Sequence, residues 1–203
     1  MALDFSVRTI IEQKITEIEQ EYKQTQGLIL TEDDLKCLLY SKLMQIPKLS
    51  QKIETQDKEI YSKSIHTEVS WYDRRGNLAI TPDITILEPE HLSILHRYGN
   101  KLSLPSKQFS FSGEAIIFEL KFIRNKTGIR PTTFNGRIMK DYEKIRKLFA
   151  RLDSQKVPDT MFCYFVIFNK TDIKCSEFDD FIKQNGQSNR HKIIYATGNV
   201  HFG

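Results

Sequence analysis

Ala115-Ile-Ile-Phe-Glu-Leu-Lys-Phe-Ile123 alternates as a β-strand does. Ile116, Phe118, Leu120 and Phe122 fall on one face. Glu119 and Lys121 lie two residues apart on the other, so their side chains point the same way. An ionised acid and an amine in an apolar strand cost several kcal/mol unless they are paired or metal-bound. The string itself carries no weight, because acid-x-Lys occurs five times in the chain: Glu12–Lys14, Glu21–Lys23, Asp34–Lys36, Glu119–Lys121 and Asp172–Lys174. Only Glu119–Lys121 sits inside an apolar strand. A functional site and a buried ion pair in a non-catalytic sheet are the two readings of that context, and acids in perturbed surroundings are enriched at functional sites.

Upstream of this stretch, Leu78–Glu88 reads as a strand, with Leu78, Ile80, Ile84 and Ile86 alternating and Pro82-Asp83 inside it. Proline in a strand interior implies an edge or an irregularity, which places Asp83 at a distortion. Before it, Ser64–Tyr72 is a further predicted strand, joined by a turn at Asp73–Asn77. Residues 89–112, with Pro89, Gly99 and Pro105, read as an insertion or long loop. The polar residues 48–62 read as an exposed connection. Two helices lead the chain. Leu3 to Gln26 keeps helical spacing through Val7, Ile11, Ile15, Ile18 and Tyr22. Thr31 to Met44 starts with a helix-capping threonine and the acids Glu32, Asp33 and Asp34, and Pro47 follows its end. Downstream, the spacing predicts a helix over 135–152, a strand over 160–168, a helix over 177–184 and a strand over 192–196. The order is α-β-β-β-α-β followed by α-β: one α/β domain over residues 1–203, with 1–27 as a helical extension.

Composition excludes several classes. The 203 residues are 39% apolar and 28% charged, enough for a core. No apolar run approaches the ~20 residues a membrane helix needs, so no membrane partner is expected. Asp4, Arg8 and Glu12 are incompatible with a signal-peptide core. Cys37, Cys163 and Cys175 form no CxxC pair, which argues against a disulfide scaffold or zinc ribbon and for a reducing compartment, the cytoplasm. His91 and His96 lack zinc-site spacing, and no GxGxxG, Walker A or GxSxG string occurs. The net charge is +4, but residues 124–151 hold nine basic and two acidic residues, leaving the remainder slightly acidic. Such a localised excess suits an anionic partner such as nucleic acid. Within it, Arg137, Lys140, Lys144, Lys147 and Arg151 step by three and four, so they line one helix face. Ile138, Tyr142, Ile145, Phe149 and Leu152 line a neighbouring face suited to packing on a sheet. The basic stripe reads either as a track for a phosphate backbone or as a solvated face.

Pro82-Asp83 and Glu119-Leu120-Lys121 on consecutive core strands, after a helix with an acidic start and before a basic helix, resemble the PD-(D/E)XK nuclease superfamily, with its restriction-endonuclease-like core. The resemblance spans residues 31–168. It implies a metal-dependent hydrolysis of phosphodiesters, with a DNA endonuclease as the expected activity. It also implies Mg²⁺, with Mn²⁺ as a substitute, held by Asp83, Glu119 and the Leu120 carbonyl, with Lys121 positioning the attacking water or stabilising charge. Members often add an acid from the first core helix. Glu32 is the expected one here, since Asp34 suits the capping box of Thr31. Many members dimerise, so a homodimer is possible. No Gln stands on the following helix, which departs from an exonuclease branch. The 35 residues between Asp83 and Glu119 make a long excursion. His66 with Glu68, and Trp71 with Phe111, read first as strand surface and core packing. The alternative function is a catalytically inactive module of the same fold that binds nucleic acid or a protein, and RNA is an alternative substrate.

Overall fold

The computed structural model describes residues 5–72, 78–94, 109–154 and 161–200. The chain runs through α1 (Phe5–Gln24), α2 (Glu32–Leu43), the single turn α3 (Pro47–Ser50), β1 (Ile53–Glu54), β2 (Tyr61–Ser62), β3 (Ile65–Thr67), β4 (Trp71–Tyr72), β5 (Leu78–Ile80) and β6 (Ile84–Leu87). It continues through a 3₁₀ turn (Pro89–His91), β7 (Leu92–Ser93), β8 (Ser110–Phe111), β9 (Ala115–Ile123), α4 (Pro131–Thr133), a π-helical turn (Phe134–Ile138), α5 (Met139–Ser154), β10 (Met161–Asn169), α6 (Ser176–Asn185) and β11 (His191–Thr197).

The fold is mixed α/β around a five-stranded sheet of order β11-β10-β9-β6-β3. β9, β10 and β11 are parallel, each joined to the next through a helix, as parallel neighbours require. β6 and β3 continue the sheet antiparallel, with Ile84 opposite Phe118 and Thr67 opposite Ile84. Alternation in β9 explains the layering. Ile116, Phe118, Leu120 and Phe122 face a core shared with α1 and α2. Ala115, Ile117 and Ile123 face a second core with α5 and α6, and Glu119 and Lys121 occupy the two positions between them.

Residues 1–27, expected as an extension, enter the main core from Val7 onward. Val7, Ile11, Ile15, Ile18 and Tyr22 are no more than 1% exposed. α1 is also tied to strands far along the chain. Glu12 accepts hydrogen bonds from Tyr164 Oη at 3.1 Å and Lys192 Nζ at 2.7 Å, and Glu19 accepts from Thr197 N at 3.0 Å.

Both upstream strands differ from expectation. Ser64–Tyr72 and Leu78–Glu88 are each broken in two. β3 and β6 stay in the main sheet, while β4 and β5 pair as a separate ribbon. The breaks fall at Glu68, whose φ is +54°, and at Pro82-Asp83. Pro82 has no N–H to give a ladder. Asp83 N still donates to Phe118 O at 3.0 Å, and Asp83 O accepts from Glu68 N at 3.3 Å, so the two bends face each other. Leu78, expected on the buried face, is 57% exposed. Residues 48–62 are more than an exposed connection, since they hold α3, the β1–β2 hairpin and the buried Leu49 and Asp57. Of the expected loop 89–112, β7 and β8 pair with each other; residues 95–108, and the predicted turn 73–77, lie outside the described residues. Among the described residues no helix is long and apolar enough to cross a membrane.

Candidate active site

The site lies where β6 bends away from β9. Their pairing stops at Ile84 opposite Phe118, so the next outward-facing amide of β9 on that side, Leu120 N–H, has no ladder partner in β6. Asp83 takes that place. Its Oδ2 accepts from Leu120 N at 2.7 Å. The Leu120 carbonyl faces the same edge of the strand as its N–H.

Glu32 reaches the same edge from α2. The start of this helix is fixed by a capping box: Thr31 Oγ1 accepts from Asp34 N at 3.1 Å and Asp34 Oδ2 accepts from Thr31 N at 2.9 Å. Asp34 is thereby committed to the cap, and its carboxyl sits below the usual range because of hydrogen bonds from Leu30 and Thr31. Asp33 pairs with Lys36 at 2.9 Å and is largely exposed. Glu32 alone of the three acids meets β9, with Oε2 accepting from Phe122 N at 3.0 Å and Oε1 from Lys121 Nζ at 3.3 Å.

Lys121 is nearly buried and bridges the layers on the two sides of the sheet. It binds Glu32 and, more closely, Asp141 Oδ2 of α5 at 2.8 Å. Burial opposes its charge, but the hydrogen bond it donates to Asp141 and the negative charges of Asp141 and Glu32 outweigh burial and raise its pKa. Asp141 keeps its proton off for the matching reason: burial pushes its pKa up, and the Lys121 and Lys144 hydrogen bonds bring it below the ordinary value.

Glu119 and Asp83 are the strained pair. Burial pushes the Glu119 carboxyl up to about 8, and the charges of Asp83 and Asp141 add to it. Asp83 is also raised, by burial first and against the Leu120 N–H that stabilises its charge. Two half-buried acids that repel each other beside a strand-edge carbonyl form a sparse oxygen donor set. That set fits a divalent cation of the Mg²⁺ kind, which keeps several waters and few carboxylates. Among the described residues no three acidic, histidine or cysteine side chains form a ready-made metal cage.

The basic stripe divides between the π-helical turn, which carries Arg137, and α5, which carries the rest. Arg137, Lys140, Lys144 and Lys147 are exposed, and Lys144 turns inward to Asp141 Oδ1 at 2.6 Å. Arg151 is helical, but its side chain lies outside the described ones. Ile138, Tyr142, Ile145 and Phe149 pack on the sheet as expected, joined by Leu148. His66 stays out of the site, with Nε2 donating to Lys63 O at 2.9 Å. Glu68 pairs with Lys36 at 2.8 Å. Trp71 and Phe111 pack edge to face at 6.0 Å.

Asp141 is a member that sequence reasoning missed, and so is the influence of Lys36, whose positive charge acts on the Asp83 carboxyl. Asp141 had a signal: Ile138, Asp141, Ile145 and Leu148 step by three, four and three, so an acid interrupts an apolar stripe. Lys36 had none beyond lying one turn after Glu32. No protein-family model matches the chain, and no curated protein or solved structure matches it either.

Proposed function

We propose that the chain is a metal-dependent phosphodiesterase with a restriction-endonuclease-like core of the PD-(D/E)XK kind, cutting nucleic acid and, in the first place, DNA as an endonuclease. The observation that carries this reading is the meeting of Asp83, Glu119 and Lys121 at one unpaired strand edge, with Asp83 bound to Leu120 N at 2.7 Å. Its support at the level of topology is the order α2, β3, β6, β9, α5, β10, in which an antiparallel run of three strands is followed by a helix and a parallel strand.

Asp83, Glu119 and the Leu120 carbonyl are the groups that would hold Mg²⁺ or Mn²⁺. When bound, such an ion lowers the pKa of a coordinated water and offsets charge on the scissile phosphate. Lys121 is held charged by Asp141 and Glu32, so it acts as a fixed positive charge facing the developing negative charge rather than as a base. Glu32 fastens α2 to β9 through Phe122 N. Arg137 on the π-helical turn and Lys140 and Lys147 on α5 present positive charge for a phosphate backbone, a contact that reads neither sugar nor base. Three free thiols suit a reducing compartment such as the cytoplasm.

The test is cleavage of labelled double-stranded DNA, single-stranded DNA and RNA with Mg²⁺ or Mn²⁺, for the wild type, Asp83→Ala and Lys121→Ala. Metal-dependent cutting lost by about 10³-fold or more in both variants is the expected result, the size following from removal of groups that act on the transition state. Cutting that survives both changes places the chemistry elsewhere. Nucleic acid bound but uncut, with no Mn²⁺ binding that depends on Asp83, makes the chain a non-catalytic binding module.

A further inference from the structure

Asp141 faces two lysines of different character. Lys121 lies on the strand that carries the proposed chemistry, with a side chain 10% exposed. Lys144 lies one turn along α5, with a side chain 60% exposed. Each lysine takes a different oxygen of the same carboxylate: Lys121 Nζ is 2.8 Å from Oδ2 and Lys144 Nζ is 2.6 Å from Oδ1. Asp141 itself is buried, with a side chain 12% exposed, at a position in α5 where the helix otherwise turns isoleucine and leucine to the sheet.

Glu32 cannot replace it. Its contact with Lys121 is longer, at 3.3 Å, and its other oxygen is already taken by Phe122 N. Lysine carries its charge on a flexible four-carbon stem, so a fixed location for Nζ needs a fixed partner. The helical backbone, anchored in the core by the buried Ile138, Tyr142 and Ile145, supplies that location.

We propose that Asp141 is a positioning residue that holds the Lys121 ammonium at the reaction centre with one oxygen, while its other oxygen carries Lys144 of the basic α5 face beside it. This rests on the nuclease reading of the site. A phosphate of the substrate backbone can draw Lys144 outward without disturbing Lys121, because the two lysines use different oxygens. The Asp141 carboxylate accepts hydrogen bonds from Lys121 and Lys144, and its charge also reaches the Glu119 carboxyl, so the acetylation rate at Lys121 is the measurement that separates positioning of the lysine from an effect on Glu119.

Two measurements test this on the full chain. The first needs no substrate: acetylation of Lys121 by acetic anhydride at a single pH, read by mass spectrometry against exposed Lys140. Asp141→Asn is expected to raise the rate at Lys121 by about fivefold or more, and Glu143→Gln, which alters an exposed neighbour paired with Arg146, leaves it unchanged. The second is steady-state cleavage. Asp141→Asn is expected to lower kcat by roughly tenfold to a hundredfold with KM changed less than about threefold, and Asp141→Glu to recover part of kcat. If Asp141→Asn does not fold, Asp141→Ser carries the same comparison. An unchanged acetylation rate at Lys121 overturns the proposal. So does a raised rate with wild-type kcat. A wild type that cuts nothing removes the nuclease reading and the catalytic purpose of Asp141 with it, while the acetylation result still decides whether Asp141 holds Lys121.

Discussion

Glu119 is the residue whose charge costs the fold most visibly. Its folded-state pKa of about 8 stands above the ordinary carboxylate value of 4.5. Between those two pH values the folded chain binds more protons than the unfolded chain. Stability therefore falls as pH rises through that window, and it is fully present only below it. Asp83, also raised, has the same sign. In EDTA, the wild-type Tm is expected to fall between pH 5 and pH 8, and Glu119→Gln to flatten that fall. Millimolar Mg²⁺ at pH 8 is expected to restore part of the loss in the wild type and less in the variant. Equal slopes in the two proteins would show that Glu119 does not carry the effect. Asp83, Glu119 and Lys121 were legible in the sequence because charge inside an apolar strand contrasts with its neighbours. Asp141 was obscured because it lies in a helix already rich in charge, where only its position in the apolar stripe marks it.

At the scale of elements, α2 has the clearest dependence on one side chain. Thr31 caps it, and Glu32 follows immediately, so fraying of the first turn moves a site residue as well as a helix end. Thr31→Ala is expected to cost about 1 kcal/mol, or roughly 2–4 °C in Tm for a domain of this size, measured by thermal or urea unfolding. Cleavage should fall further than that small loss of stability alone explains, because Glu32 loses its fixed approach to Phe122 N. Helix ends of this kind were readable from local sequence. Strand continuity was not. Pro82 announced an irregularity, but nothing in Ser64–Tyr72 announces a left-handed Glu68, a conformation that favours glycine. That bend is set by its partner: Glu68 N meets Asp83 O, so one break requires the other. The exit of β4 and β5 from the sheet is in turn what leaves the Leu120 edge open to Asp83.

At the scale of the whole molecule, the segment after β9 carries the local excess of positive charge, nine basic against two acidic residues over 124–151. Arg137 on the π-helical turn and Lys140 and Lys147 on α5 are exposed, on the helical segment whose Asp141 holds Lys121. Nucleic-acid affinity should fall steeply with salt, and Lys140→Gln with Lys147→Gln should reduce the slope of log K against log salt by about 2, with little change in preference between sequences. Titrations at several salt concentrations measure it, and an unchanged slope would take these lysines out of the interface. The α/β class and the order of the major elements were legible from period and turn chemistry. The place of α1 was not, because an amphipathic stripe names no partner. The contacts of Glu12 with Tyr164 and Lys192, and of Glu19 with Thr197, have a consequence for synthesis. At about 5–20 residues per second, the ribosome needs roughly 9–35 s to deliver β10 and β11 after α1. For that interval Ile11, Ile15 and Tyr22 lack the strands that will cover them, so the nascent chain carries an apolar helix face that chaperones can engage, and sheet completion is a late event in its folding.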